Sequence, residues 1–106
     1  MNIRLARQHL RLRLDEGEFA ALMAGDVQSF ALRMPGLAWK VIARKGAPGH
    51  LGFNADKHGI DLAFPEDKLT LFAESLPSRD GLHFRLPVDV ELALEVVLEV
   101  DVKRAR

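Results

Sequence analysis

The sequence predicts an α+β domain: a single curved antiparallel sheet, curling toward a half-barrel, with two helices packed on it. Three observations predict it. Apolar and polar residues alternate through most of the chain, as in strands with one wet face. Two stretches leave that period for the i, i+3, i+4 spacing of an amphipathic helix. The connections between alternating runs are short and rich in Gly, Pro and Asp, as in a meander of adjacent strands. The resulting order is β-β-α-β-β-β-β-α-β-β, an arrangement that segregates helices from strands. Ferredoxin-like layering is the simpler alternative.

The opening strand slips phase. Ile3 and Leu5 are apolar at odd positions, whereas Leu10, Leu12 and Leu14 are apolar at even ones. A one-residue slip would turn the apolar set to the wrong face, so a turn or bulge is expected around Ala6 to Gln8. Asp15 to Gly25 reads as a helix, with Asp15 as N-cap, Glu18 completing a capping box, and Phe19, Leu22 and Met23 as its buried stripe. Phe30, Leu32 and Met34 begin a strand that reverses at Pro35-Gly36. Leu37, Trp39, Val41 and Ala43 continue on the return, which places Trp39 in the core. The turn 56–59 separates Leu51, Phe53 and Ala55 from Ile60, Leu62 and Phe64. Pro65 suits a first helical position, where its missing N–H costs nothing. Leu69, Phe72, Ala73 and Leu76 form the second apolar stripe. From Leu82 to Val102 every even position is apolar. That run is too long for one strand, so Pro87 should divide it, leaving a last strand from about 92 to 103. No internal repeat is visible.

The 106 residues suit one domain, 1–106, and 48% of them are hydrophobic, enough for a compact core. The absence of cysteine excludes disulfides, thiol chemistry and Cys-ligated zinc. The N-terminus lacks a secretory h-region, and no apolar run approaches the roughly 20 residues of a membrane span. A cytoplasmic protein without a membrane partner is expected. Fifteen basic residues balance fifteen acidic ones, which argues against a nucleic-acid binder. The charges are nevertheless segregated. Arg4, Arg7, Arg11 and Arg13 precede the first acid, and Asp89, Glu91, Glu95, Glu99 and Asp101 crowd the other end.

The opening "MNIRL…HLRLRLDEGE" and the closing "LEVVLEVDVKRAR" resemble a small uncharacterised bacterial family, the domain of unknown function 7009. That family opens MKIR…LRLRL…E and closes on a strand L-ILVEKDF. On this comparison Glu99 and Asp101 match its Glu and Asp, and Lys103 follows. Val100 and Val102 depart from its Lys and aromatic, and its C-terminal cysteine and acidic tail have no counterpart. The resemblance implies a fold and no activity, so it transfers no catalytic residue.

Three constellations could carry chemistry. Glu99, Asp101 and Lys103, spaced by two, share one face of the last strand. Paired carboxylates can hold Mg²⁺ and a lysine can hold a phosphate. The pattern is similar to the Glu-x-Glu-x-Lys of the CYTH family of triphosphate-processing enzymes, where it lies near the start of a larger barrel. On that alternative Arg11 and Arg13 grip the anion. The competing reading is a wet strand face, the commoner cause of alternating charge. If the terminal strands are neighbours, Arg11 and Arg13 face Glu95, Glu99 and Asp101 across the ladder, each pair contributing about 0.2–1 kcal/mol. The second constellation is His50, Asp56, His58 and Asp61, divalent-metal ligand types that turns also use for backbone reasons. The third is "ARKGAPGH", 43–50, which lacks the following helix of a phosphate loop.

The three serines sit in no nucleophile elbow, and one Trp, six Phe and no Tyr make a poor stacking platform for bases. Ile42 and Val97 are large apolar residues on polar phases. If close in space they mark a dimer contact or the seat of a helix. The expectation is therefore a non-enzymatic binding or protein-interaction module with no cofactor, whose partner is another protein or a second copy of itself.

Overall fold

The computed structural model describes residues 1–102. Its elements are β1 (Asn2–Ala6), β2 (His9–Asp15), α1 (Glu16–Met23), β3 (Gln28–Met34), β4 (Leu37–Gly46), β5 (Gly52–Asp56), β6 (Gly59–Pro65), α2 (Glu66–Glu74), β7 (Leu82–Pro87) and β8 (Ala93–Asp101). The fold is α+β with two helices, but the single curved antiparallel sheet is not found. There are two four-stranded sheets, ordered β1-β2-β8-β7 and β3-β4-β6-β5. Both are mixed: β2 runs parallel to β8, and β4 runs parallel to β6. The half-barrel and ferredoxin-like alternatives fall with the single sheet.

The meander fails at its connections. A helix follows β2 and another follows β6, and each carries the chain from one sheet to the other. Residues 47–51 then cross the end of β6 to bring β5 to its far side, so β4 and β5 never pair. The crossing is tight. A Cβ on Gly46 would lie 2.9 Å from the Cβ of Ala63, and one on Gly52 would lie 3.1 Å from it.

The element order is ββαββ twice, contrary to the expectation of no repeat. Each sheet joins the leading hairpin of one half to the trailing hairpin of the other. The registers match residue by residue. Ile3↔Leu12 in the first half corresponds to Phe53↔Leu62 in the second. Leu12↔Leu98 corresponds to Leu62↔Ala43 across the parallel pairs. Phe30↔Val41 corresponds to Phe84↔Val96. The halves share burial pattern and few residue identities, which hides the duplication from a reading of the sequence.

Both sheets face one core. Leu10, Leu12 and Leu14 of β2 and Val96, Leu98 and Val100 of β8 meet Val41, Ala43, Leu62 and Phe64 of the other sheet. The helices add Phe19 and Leu22, and Leu69 and Phe72. Phe19 meets Phe72 edge-on, ring centroids 5.8 Å apart and planes at 83°. Burying a Leu or Phe side chain contributes about 1.5–3 kcal/mol, so these residues supply most of the drive to fold. The phase slip is a two-residue turn in which Gln8 takes φ 57. The capping box at Asp15 is complete: its Oδ1 accepts from Glu18 N at 2.7 Å and Glu18 Oε1 accepts from Asp15 N at 2.9 Å. Pro65 is the N-cap of α2 rather than its first helical residue. No described helix is long and apolar enough to cross a membrane.

Candidate functional site

The outer face of the β1-β2-β8-β7 sheet gathers most of the charged residues singled out from the sequence. The first and last segments do lie side by side, with β2 rather than β1 against β8. In the parallel register Arg11 stands opposite Val97 and Arg13 opposite Glu99. Each arginine reaches one step further along β8. Arg11 Nη1 lies 2.7 Å from Glu99 Oε1, and Arg13 Nη2 lies 3.3 Å from Asp101 Oδ1. Glu95 turns the other way, its Oε1 lying 3.6 Å from Nε of Arg85 on β7. These side chains are partly solvated, so each pair contributes at the low end of about 0.2–1 kcal/mol.

A cleft of about 340 Å³ opens beside this ladder. Arg11, Arg13 and Glu99 line it, together with Arg4 and Asn2 of edge strand β1. Asp101 lines a separate, smaller depression with Arg13 and Glu18. Glu95 lines neither of the two, and Lys103 lies outside the described residues. Five converging side chains were required for triphosphate chemistry. Of the four that are described, Arg11, Arg13 and Glu99 share the cleft and Asp101 does not.

Of the proposed metal ligands, Asp56, His58 and Asp61 line one depression on the outer face of the β3-β4-β6-β5 sheet, and His50 lies apart from them. Asp56 Oδ1 accepts from the backbone N of His58 at 2.7 Å, closing the β5–β6 turn. Asp61 Oδ1 lies 3.1 Å from Arg44 Nε on the other sheet's outer face. That oxygen is shielded from solvent, and the approach is not aligned as a hydrogen bond. His50 lines a different depression, beside β7. Among the described residues no three His, Asp or Glu groups stand close enough to hold one metal ion. Residues 43–46 are the end of β4, and the loop that follows is tied to α2. Gly49 N donates to Asp67 Oδ1 at 3.0 Å, and that bond holds the Asp67 carboxyl below its ordinary range.

Ile42 and Val97 occupy corresponding places on the outer faces of different sheets, so they form no joint contact. Val97 is nevertheless buried, with Arg11 and His83 opposite it on either side. Arg11–Glu99 on one sheet corresponds to Asp61–Arg44 on the other, with the charges exchanged.

Two features escaped the sequence reading. In the sequence Arg4 stands out only as part of a basic terminus. Its place directly opposite Arg11 depends on the β1–β2 register. The second is the apolar end of the β3–β4 hairpin. Leu32, Met34 and Leu37 lie on the same face as the buried Val41, and alternation assigns them to the core. They are nevertheless 45%, 39% and 38% exposed, because the hairpin runs past the layer it packs on. The β7–β8 hairpin repeats this with Val88, Val90 and Leu92. No signal in a single sequence separates a strand that ends with its core from one that overshoots it. No family model, curated protein or solved structure matches this chain.

Proposed function

We propose that the chain is a non-enzymatic interaction module whose partner is a second copy of itself, joined through the outer edge of β3. The observation that carries this reading is the joint exposure of Leu32, Met34 and Leu37 beside the half-buried Trp39. Large apolar side chains gathered on one surface mark interaction sites in soluble proteins. β3 is also a seven-residue edge strand with one charge, Arg33. Such an edge offers unpaired N–H and C=O groups to another strand. About a two-fold axis, β3 would meet β3, making each apolar surface the partner of its own copy. The other edges suit this less. Each carries one Asp or Arg as β3 does, but β1 and β5 have five residues and β7 six, so each offers a shorter ladder than the seven of β3. A net charge of zero adds no long-range repulsion between copies. The non-enzymatic part is supported by the engagement of Glu99 and Asp101 by arginines.

The test is the molar mass in solution, by light scattering on a sizing column across a concentration series. Wild type is expected to run as a dimer, and the double variant Leu32→Glu/Met34→Glu as a folded monomer. A wild-type monomer at every concentration, or a dimer unaffected by the two glutamates, overturns the proposal.

A further inference from the structure

We propose that the cleft between β1 and the β2–β8 ladder is a binding site for a phosphate group. The argument starts from a like-charge contact. Arg4 and Arg11 are direct partners across the antiparallel β1–β2 ladder and project from the same face. Opposed like charges disfavour a sheet pairing. Arg13 lies two residues along on that face, so three arginines line one cleft. Two of them are partly neutralised. Arg11 spends one nitrogen on Glu99 and Arg13 one on Asp101, and the other donors of each fork stay free. The Arg4 guanidinium has no partner among the described residues.

The duplicated fold provides its own control. The positions corresponding to Arg4, Arg11 and Arg13 are Asn54, Asp61 and Ala63. The second half folds into the same strands without a single arginine there, so the cluster is not a demand of the architecture. Repulsion kept without structural need is what a binding site shows when its ligand is absent. The ligand must then be an anion, and the donors select its shape. Forks arriving from two strands match a tetrahedral group with several acceptor oxygens better than a planar carboxylate. Asn2, opposite Arg13, adds an amide. Ile3 and Phe30 line the same cleft and give the body of an ester an apolar seat. The volume of about 340 Å³ falls at the small end of ligand sites.

The test is titration of the whole chain with inorganic phosphate, phenyl phosphate and succinate at constant ionic strength, followed by calorimetry and thermal melting. Phosphate or phenyl phosphate is expected to bind and to raise the melting temperature. Tighter binding of phenyl phosphate assigns the site to a phosphate ester, and equal binding assigns it to free phosphate. Arg4→Gln is expected to weaken binding at least tenfold and, with repulsion relieved, to melt no lower than wild type in phosphate-free buffer. Arg85→Gln, on the same face outside the cleft, is expected to bind as wild type. No binding of either phosphate overturns the proposal, as do succinate binding equal to phosphate and an Arg4→Gln affinity equal to wild type. Phe30 of β3 lines the cleft but Leu32 and Met34 do not, so the titration is repeated on Leu32→Glu/Met34→Glu, whose phosphate affinity is expected to equal wild type whether or not the chain self-associates.

Discussion

The exchanged ion pairs at corresponding places of the two sheets make a quantitative prediction. Replacing Asp61 by Arg and Arg44 by Glu would give the second sheet the residue types that the first carries at Arg11 and Glu99. The native pair spans 3.1 Å, with Arg44 about half exposed and Asp61 about one-third exposed. Unit charges about 4 Å apart interact by about 4 kcal/mol at an effective dielectric of 20 and by about 1 kcal/mol in water. Exposure of Arg44 moves this pair toward the water limit, and ordering two side chains offsets part of the gain. The net contribution is about 0.5–1 kcal/mol. Asp61→Arg alone loses that and sets two arginines together, and Arg44→Glu alone sets two carboxylates together. Each single variant should cost about 1–2 kcal/mol. The double variant should return to within about 0.5 kcal/mol of wild type, because the neighbouring Asn54 and Ala63 are neutral and the paired strands already hold the reversed pair elsewhere. Urea unfolding at low salt measures all four proteins, and the recovery should shrink in high salt. A double variant as unstable as the sum of the singles would refute the correspondence between the sheets.

Two further outcomes follow from local geometry. Gly59 has φ 140, and a Cβ there would lie 1.7 Å from the carbonyl O of Lys40, so Gly59→Ala should cost at least about 3 kcal/mol in chemical denaturation. Gly36→Ala, at φ 78 with open space around it, should cost only about 1 kcal/mol, and equal costs would contradict the close packing of β6 on β4. The Gly49 amide holds the Asp67 carboxyl below the ordinary range of an aspartate. A depressed folded value stabilises the fold above the unfolded value, and that contribution is lost as pH falls through the folded one. The Asp67 carboxyl should therefore titrate below an ordinary aspartate when followed by NMR, and Asp67→Asn should flatten the acid limb of stability. A midpoint at or above that of an ordinary aspartate would remove the loop-to-helix bond from the account.

Local chemistry wrote most of the elements into the chain. Period-two alternation identifies β2 from Leu10, Leu12 and Leu14, and β8 from Val96, Leu98 and Val100, because a strand with one buried face has no other pattern. The phase slip at Ala6 to Gln8 became the β1–β2 turn, and the Asp15–Glu18 capping box began α1. Segregated charge pointed to neighbouring terminal segments, since the acids of β8 need cations beside them. Sheet membership was settled at a longer range. Nothing local distinguishes a β4 that pairs with β5 from one that pairs in parallel with β6, because both bury Val41 and Ala43 equally. The duplication stayed hidden for the same reason: Leu14 and Phe64, or Arg11 and Asp61, serve corresponding places with different side chains. The candidate cleft and the exposed β3 edge belong to that second class. Arg4 meets Arg11 only through register, and Leu32 and Met34 are exposed only because the tertiary packing stops short of them.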